Sequence, residues 1–203
     1  AEAIGADGLL AVTPYYNKCT QNGLYAYYKS ICEAVKIPVI AYNVPSRTGV
    51  NIQPATMARI AEIPNMAGIK DAGGNMSQTM ETFRSIRGKC DLYSGEDALN
   101  FPILAVGGSG VISVLSNVVP ADVKKLYTLI KEGRTEEACA LQDKLLPLSQ
   151  ACFLEVNPIP AKAAMNLLGF DAGMPRAPLS EIEPNNKEKL RKAMADYGLE
   201  IKA

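Results

Sequence analysis

A lysine ends an apolar run in the segment NMAGIKDAGG, residues 65–74, of a 203-residue chain that contains no histidine. Burial of a lysine as a cation costs free energy, so Lys70 either extends to solvent or is kept for its amine. In the second case burial lowers the pKa of the amine, and the neutral nitrogen can attack a ketone to form a Schiff base. Its place after Gly68 and Ile69, at the predicted end of a strand, favours this second interpretation.

Two further side chains could assist such an amine, and both lie in the segment AYNVPSRTG, residues 41–49. The hydroxyl of Tyr42 can donate and accept a proton, which imine formation and carbon–carbon bond formation both require. The permanently charged, planar guanidinium of Arg47 suits a carboxylate on a substrate. Taken singly, Tyr42 is also typical of a core tyrosine and Arg47 of a solvated loop, so both predictions depend on Lys70.

Two other segments carry weaker signals. The segment TPYYN, residues 13–17, places two tyrosines together, and paired aromatic residues usually serve packing or an interface, although one hydroxyl could extend into a site. The segment VGGSGVIS, residues 106–113, is rich in glycine, which close approach to a ligand or tight packing explains equally well. We therefore predict no phosphate site there.

The elements that must position these side chains are short apolar runs separated by segments of helical periodicity. Strands that alternate with helices pair in parallel, because a parallel crossover needs a dozen or more residues. Their continuous apolar character also fits strands that are covered on both faces. The five predicted runs begin at Asp7, Ile37, Asn65, Cys90 and Gly107.

The pattern after Leu115 is amphipathic helix, with Pro120 at its start and Gly133 at a break. We therefore predict a partial barrel over residues 1–120 and a C-terminal helical region, including the last barrel helix, over residues 121–203. An open doubly wound sheet is disfavoured because no GxGxxG motif follows the first strand and every run ends in polar residues. In a closed (β/α)8 TIM barrel those strand ends form the active-site face. Five βα units are visible, so we expect three amino-terminal units to be absent.

Composition excludes several classes of function. The 21 basic and 21 acidic residues leave no net charge, so there is no electrostatic case for binding nucleic acid or an anionic membrane. No run approaches the roughly 18 apolar residues of a membrane span. Without histidine, serine–histidine and cysteine–histidine catalysis and histidine metal sites are excluded. Five cysteines, odd in number and without a CxxC pair, indicate reduced thiols in a cytoplasmic protein.

Six segments, in this order and spacing, resemble the dihydrodipicolinate synthase family of pyruvate-dependent class I aldolases, which also include N-acetylneuraminate lyase. The segments are VTPYYN, YNVPSRTG, GIKDA, YSGED, GGSGVISV and NPIPAK. The resemblance covers essentially the whole chain and implies a (β/α)8 barrel with a C-terminal helical domain. It also implies a lyase that condenses pyruvate with L-aspartate-4-semialdehyde in lysine (diaminopimelate) biosynthesis, with no metal and no organic cofactor.

The resemblance further implies a role for individual residues. Lys70 corresponds to the Schiff-base lysine, Tyr42 to the tyrosine of a proton relay, and Arg47 to the residue that binds the carboxylate of the aldehyde substrate. Tyr16 corresponds to a relay tyrosine that reaches into the neighbouring subunit's site, which implies a homodimer or a homotetramer built as a dimer of dimers.

Two backbone positions complete the implied site: Gly95 and Ile112 match residues that line the pyruvate pocket. The paired threonines of the family, which complete the relay and hold the carboxylate of pyruvate, belong to an early strand that this sequence does not contain.

Two alternatives stay open. A related aldolase or lyase acting on N-acetylneuraminate or on a 2-keto-3-deoxy acid would share Lys70 and Tyr42, whereas Arg47 favours a short acidic aldehyde. A non-catalytic, truncated fragment that serves only as an assembly partner would explain the absent strands, but the intact lysine, tyrosine and arginine oppose it.

Overall fold

The computed structural model describes residues 1–202, which form two compact units, Ala1–Ile112 and a second that begins at Ser113. The first unit contains a sheet of five strands that pair in parallel in their order along the chain. The strands are β1 (Leu9–Val12), β2 (Val39–Asn43), β3 (Met66–Asp71), β4 (Asp91–Ser94) and β5 (Gly110–Val111). The predicted class of parallel βα units is confirmed.

Helices connect these strands, and local sequence explains where they begin. Thr20 caps the first helix by accepting a hydrogen bond from the backbone N–H of Gly23, and Asn75 caps the fourth by accepting one from Gln78. Proline stands at the start of the second and third helices, where its missing N–H costs no helical hydrogen bond. The helices are α1 (Gln21–Glu33), α2 (Pro45–Thr48), α3 (Pro54–Ile60), α4 (Met76–Ile86) and α5 (Asn100–Ala105).

The core of the first unit lies between the sheet and these helices. One face of α1 is buried at intervals of four residues, through Leu24, Tyr28 and Cys32, as the helical period requires. The hydroxyl of Tyr28 donates a hydrogen bond to the carbonyl of Ala11, so this large side chain is both fully buried and satisfied. The sheet is thereby held against α1 on the side of β1.

The fifth strand is shorter than its apolar run predicts. The run begins at Gly107, but Gly107 has a φ of 111° and the N–H of Gly108 donates to the carbonyl of Ile103, so the chain is still turning out of α5. Pairing with β4 therefore starts only at Gly110.

The second unit is helical, as the sequence predicts. Its helix α7 packs against α6 and α9, and α9 also packs against α8. Gly133, with a φ of 75°, lies between α6 and α7, which agrees with the predicted break. The helices are α6 (Pro120–Lys131), α7 (Thr135–Ala151), α8 (Ile159–Leu167) and α9 (Pro184–Tyr197).

All five cysteines are free thiols. Within residues 1–202, no helix is long and apolar enough to span a bilayer.

Candidate active site

Lys70 and Tyr42 lie side by side at the carboxyl ends of neighbouring strands. They are paired in register between β2 and β3, so their side chains leave the sheet on the same face. The amine nitrogen of Lys70 lies over the ring of Tyr42, 4.1 Å from its centroid. Two residues that are 28 positions apart in the sequence are thus brought into direct contact, as the strand pattern predicts.

The environment of Lys70 favours its neutral form. Partial burial lowers the pKa of the amine, because the cation loses solvation that the neutral amine does not need. The nearby carboxylate of Asp97 acts against this shift, and the positive charge of Arg47 adds to it. Desolvation is the largest of the three effects, so the pKa of Lys70 lies below that of an ordinary lysine.

The environment of Tyr42 favours its protonated form. Partial burial raises the pKa of the phenol, and the charge of Arg47 partly offsets that rise. Arg47 itself is exposed and lies in α2, which follows directly on β2. Its guanidinium therefore influences the pKa of both Lys70 and Tyr42 from the mouth of the site.

Gly95 leaves the space that the Lys70 side chain occupies. A Cβ atom at this position would lie 2.9 Å from both Cγ and Cε of Lys70 and 3.0 Å from Cβ of Ala72. The N–H of Gly95 donates to the carbonyl of Asp71, and the N–H of Ile112 donates to the carbonyl of Ser94. Gly95 and Ile112 thus continue the strand ends on the far side of Lys70 from Tyr42.

Carboxyl groups lie beyond Gly95. Asp97 is buried and accepts a hydrogen bond from the amide of Asn100. Burial raises the pKa of Glu96, and the charges of Asp71 and Asp97 raise it further. Within residues 1–202 no three histidine, cysteine, aspartate or glutamate side chains form a group suited to a metal ion.

Tyr16 stands apart from this cluster. Its side chain is 89% exposed, and within residues 1–202 no hydrogen bond or ring contact joins it to Lys70 or Tyr42. Its backbone has a φ of 61°, the left-handed region that residues with a Cβ rarely adopt. The structure therefore brings five of the six predicted site residues to one end of the sheet and directs Tyr16 to solvent.

A network of polar side chains, which the sequence did not predict, adjoins the site. Asn43 and Asp71, which follow Tyr42 and Lys70, are buried and bonded to each other, and Asn51 and Gln78 extend the network. No local pattern signals these partners, because they come from separate elements.

Comparison with known proteins finds relatives that share one enzyme name. The 4-hydroxy-tetrahydrodipicolinate synthase of Caldicellulosiruptor bescii is 51% identical over 202 residues, which cover 100% of this chain and 68% of the relative. The enzyme of the same name from Clostridium novyi is 46% identical over 197 residues, 97% of this chain and 67% of the relative. The chain therefore spans about two thirds of the length of these relatives.

Solved structures that resemble this chain include dihydrodipicolinate synthases. The crystal structure of dihydrodipicolinate synthase from Thermotoga maritima superposes with a TM-score of 0.95 at 44% identity, over 98% of this chain and 69% of that one. The sequence profile described as the dihydrodipicolinate synthetase family matches residues 1–196. The chain belongs to the dihydrodipicolinate synthetase family.

Proposed function

We propose that this protein condenses pyruvate with L-aspartate-4-semialdehyde through a Schiff base on Lys70, as a 4-hydroxy-tetrahydrodipicolinate synthase of the lysine (diaminopimelate) pathway. The observation that carries the proposal is the position of the Lys70 amine, partly desolvated and 4.1 Å from the centre of the Tyr42 ring. Relatives that carry this enzyme name at 46% and 51% identity support the assignment.

The first half of the reaction makes a carbon nucleophile. The lone pair of neutral Lys70 attacks the keto carbon of pyruvate, and the resulting carbinolamine takes up a proton and loses water to give a protonated imine. This cationic imine withdraws electrons, so a proton leaves the methyl carbon and an enamine forms. The imine itself is the electron sink, which is why the proposal includes no metal and no organic cofactor.

The second half joins the two substrates. The enamine carbon adds to the aldehyde carbon of the semialdehyde, and the new alkoxide takes up a proton. The amino group of that substrate then attacks the imine carbon, which closes the ring and releases the amine of Lys70. Tyr42 is the proposed proton carrier for these steps, since its raised pKa keeps the hydroxyl protonated and its ring contacts the amine.

The remaining residues are assigned to binding. Arg47 is proposed to pair with the carboxylate of the semialdehyde, because it is a charged group at the mouth that acts electrostatically on Lys70. Gly95 and Ile112 are proposed to line the pocket for pyruvate beside Lys70. Tyr16 is proposed to act in the site of a second subunit, and its exposure supports that role.

A homodimer or a dimer of dimers follows from the role of Tyr16, and a cytoplasmic location follows from the free cysteines and the biosynthetic role. Both are parts of the proposal.

Reductive trapping tests the proposal directly. The protein is incubated with pyruvate, reduced with borohydride and digested, and the mass of the Lys70 peptide is measured. We expect the reduced pyruvyl adduct on Lys70 and none in a Lys70→Ala variant. An unmodified Lys70 peptide in active protein would contradict the Schiff base. Turnover with N-acetylmannosamine but not with the semialdehyde would instead assign the chain to the sugar-acid lyases.

A further inference from the structure

The strongest unassigned feature of the first unit is a pair of buried polar side chains one residue beyond the reacting pair. Asn43 and Asp71 are paired in register and are 1% and 4% exposed. The amide nitrogen of Asn43 donates to Oδ1 of Asp71 at 3.1 Å. Successive side chains of a strand point to opposite faces, so this pair lies on the face of the sheet away from Lys70 and Tyr42.

Asn43 also closes the loop that carries Arg47. Its amide nitrogen donates to Oδ1 of Asn51 at 3.0 Å, and its amide oxygen accepts from the N–H of Ile52 at 3.0 Å. The side chain of Asn43, just before residues 44–51, thus binds Asn51 at the end of that segment and Ile52 just after it. Arg47 lies in the middle of the closed loop.

Asp71 ties the end of β3 to the helix that follows. Its Oδ1 also accepts from the N–H of Gly73 at 3.2 Å, and its Oδ2 accepts from the hydroxyl of Thr79 at 2.5 Å. The side chain therefore accepts three hydrogen bonds, including the one from Asn43. Movement of the end of β3 would break these bonds and leave a buried carboxylate unpaired, which is costly. The three bonds therefore hold the backbone at Asp71 in place.

A pair of amides secures the far end of the loop to α4. The amide of Asn51 donates to Oε1 of Gln78 at 2.8 Å, and the amide of Gln78 donates back to Oδ1 of Asn51 at 2.9 Å. Gln21 at the start of α1 donates to the carbonyl of Asn51 at 2.9 Å. Both ends of the loop are thus fixed to elements of the sheet and its helices.

We propose that Asn43 and Asp71 are positioning residues that fix the loop bearing Arg47 relative to the strand bearing Lys70, so that one substrate can span both groups. The inference rests on the proposed function, since the aldehyde must meet Arg47 while it reacts at Lys70. The pair acts through hydrogen bonds and not through the charge of Asp71, because the side chains lie on the opposite face of the sheet.

The chain offers a matched control for Asn43. Asn65 is also an asparagine at a strand end, and its amide donates to the carbonyls of Cys32, Val35 and Ile37 at 3.0, 2.9 and 3.3 Å. It precedes β3 at the amino end of the sheet, away from the site. Asn43→Ala and Asn65→Ala therefore remove similar sets of bonds at opposite ends of the same sheet.

The kinetic test compares these two variants. We expect Asn43→Ala to raise the KM for the semialdehyde about tenfold, as loss of one well-placed contact does, while pyruvate trapping on Lys70 stays within about threefold of the parent. Arg47→Ala is the reference for that pattern. Asn65→Ala is expected to lower the Tm with an unchanged KM. An equal change of KM in both asparagine variants would overturn the proposal.

A second comparison separates geometry from charge. Asp71→Asn keeps an oxygen for Asn43 and Gly73, and its amide can donate to Thr79, whose hydroxyl also donates to the carbonyl of Asn75. We expect Asp71→Asn to rescue the KM and Asp71→Ala to behave like Asn43→Ala. If Asp71→Asn is as impaired as Asp71→Ala, the role is electrostatic and the proposal is wrong.

Hydrogen exchange supplies a readout that is independent of catalysis. The peptide covering residues 44–52, which includes the N–H of Ile52 that binds Asn43, is expected to exchange about tenfold faster in Asn43→Ala than in Asn65→Ala, because its closing bonds are lost. Unchanged exchange contradicts the positioning role, even in a protein that forms no imine. If the parent protein traps no pyruvate, that result contradicts the proposed function but not the positioning role of Asn43 and Asp71. If Asn43→Ala fails to fold, Gln78→Ala loosens the same loop from its far end and must show the same two effects.

Discussion

A Cβ atom at position 95 would lie 2.9 Å from both Cγ and Cε of Lys70. Real Cβ atoms do not approach other carbons so closely, so any side chain at this position must displace the lysine. The Lys70 amine on β3 can therefore keep its position only because Gly95, which follows β4, has no side chain.

The first prediction follows from that relationship. Gly95→Ala should slow imine formation with pyruvate by about tenfold or more, because a displacement of the amine by even a fraction of an ångström spoils its attack. Gly110→Ala is the control, since a Cβ there meets Tyr93 at an ordinary 3.4 Å. Stopped-flow trapping measures both rates. Equal rates in the two variants would mean that the side chain of Lys70 adapts to a methyl group.

The Tyr42→Phe variant is expected to distinguish the effect of the Tyr42 ring from the effect of its hydroxyl. The ring under the Lys70 amine remains, so the pKa of the amine should not move, whereas loss of the proton carrier should lower kcat about a hundredfold. Tyr93→Phe is the control, because Tyr93 pairs with Lys70 from the other side and its hydroxyl binds Asp91. Steady-state kinetics over a range of pH gives both quantities. A kcat for Tyr42→Phe equal to that of the control excludes the relay role.

Arg47 should shift the pH dependence of imine formation. The neutral amine is the nucleophile, so the rate rises with pH up to the pKa of Lys70, which burial lowers and which Arg47 lowers further. Removal of the positive charge in Arg47→Ala should raise that pKa and move the rising limb to higher pH. The shift should be small, because Arg47 is exposed and its field is screened by water and salt.

The control for this effect is Arg47→Lys, which keeps the charge and should leave the rising limb in place. Single-turnover reactions with pyruvate alone measure it without the second substrate. A limb that moves equally in both variants would show that the geometry of the loop, and not its charge, sets the pKa of Lys70.

The fourth prediction concerns the stability of the second unit. The hydroxyl of Tyr197 on α9 donates to Oδ2 of Asp122 on α6 at 2.5 Å. Tyr197→Phe should lower the free energy of unfolding by about 1 kcal/mol at neutral pH, since this bond is lost. Tyr127→Phe on α6, whose ring lies beside Lys124 and Lys131, is the control.

The same pair predicts a dependence on pH. Burial raises the pKa of Tyr197 above its ordinary value of 10.0, and the bond to Asp122 raises it further. The stabilisation is therefore complete below about pH 10 and declines above it, where the unfolded chain ionises first. Chemical denaturation at several pH values should show the difference between parent and Tyr197→Phe shrinking in alkali. A constant difference would contradict this assignment.

The sequence predicts the parallel sheet and the contact of Lys70 with Tyr42 because both depend on local patterns. Apolar runs separated by helical segments indicate parallel strands, and parallel strands gather their carboxyl ends at one edge. Once Lys70 and Tyr42 each end such a run, their proximity follows. The helical character of the chain after Leu115 follows from periodicity in the same way.

The network beneath the site could not be predicted, because its bonds depend on register and on side-chain direction. Asn43 and Asn51 frame a loop, and Gln78 belongs to a helix 27 positions later. Asp71 adjoins Lys70 in the sequence, which suggests a shared site, yet the pleat directs the two side chains to opposite faces. The exposure of Tyr16 is likewise set by its backbone conformation and not by its residue type.

The left-handed backbone at Tyr16 opposes stability of the fold to the catalytic role proposed for the same side chain. A residue with a Cβ in that region is disfavoured by about 1 kcal/mol relative to glycine, and within its own chain the exposed ring recovers little of this by packing. Directed evolution that selects only for thermal stability should therefore replace Tyr16 with glycine early. A parallel campaign that screens for product should keep the tyrosine and find its heat tolerance elsewhere.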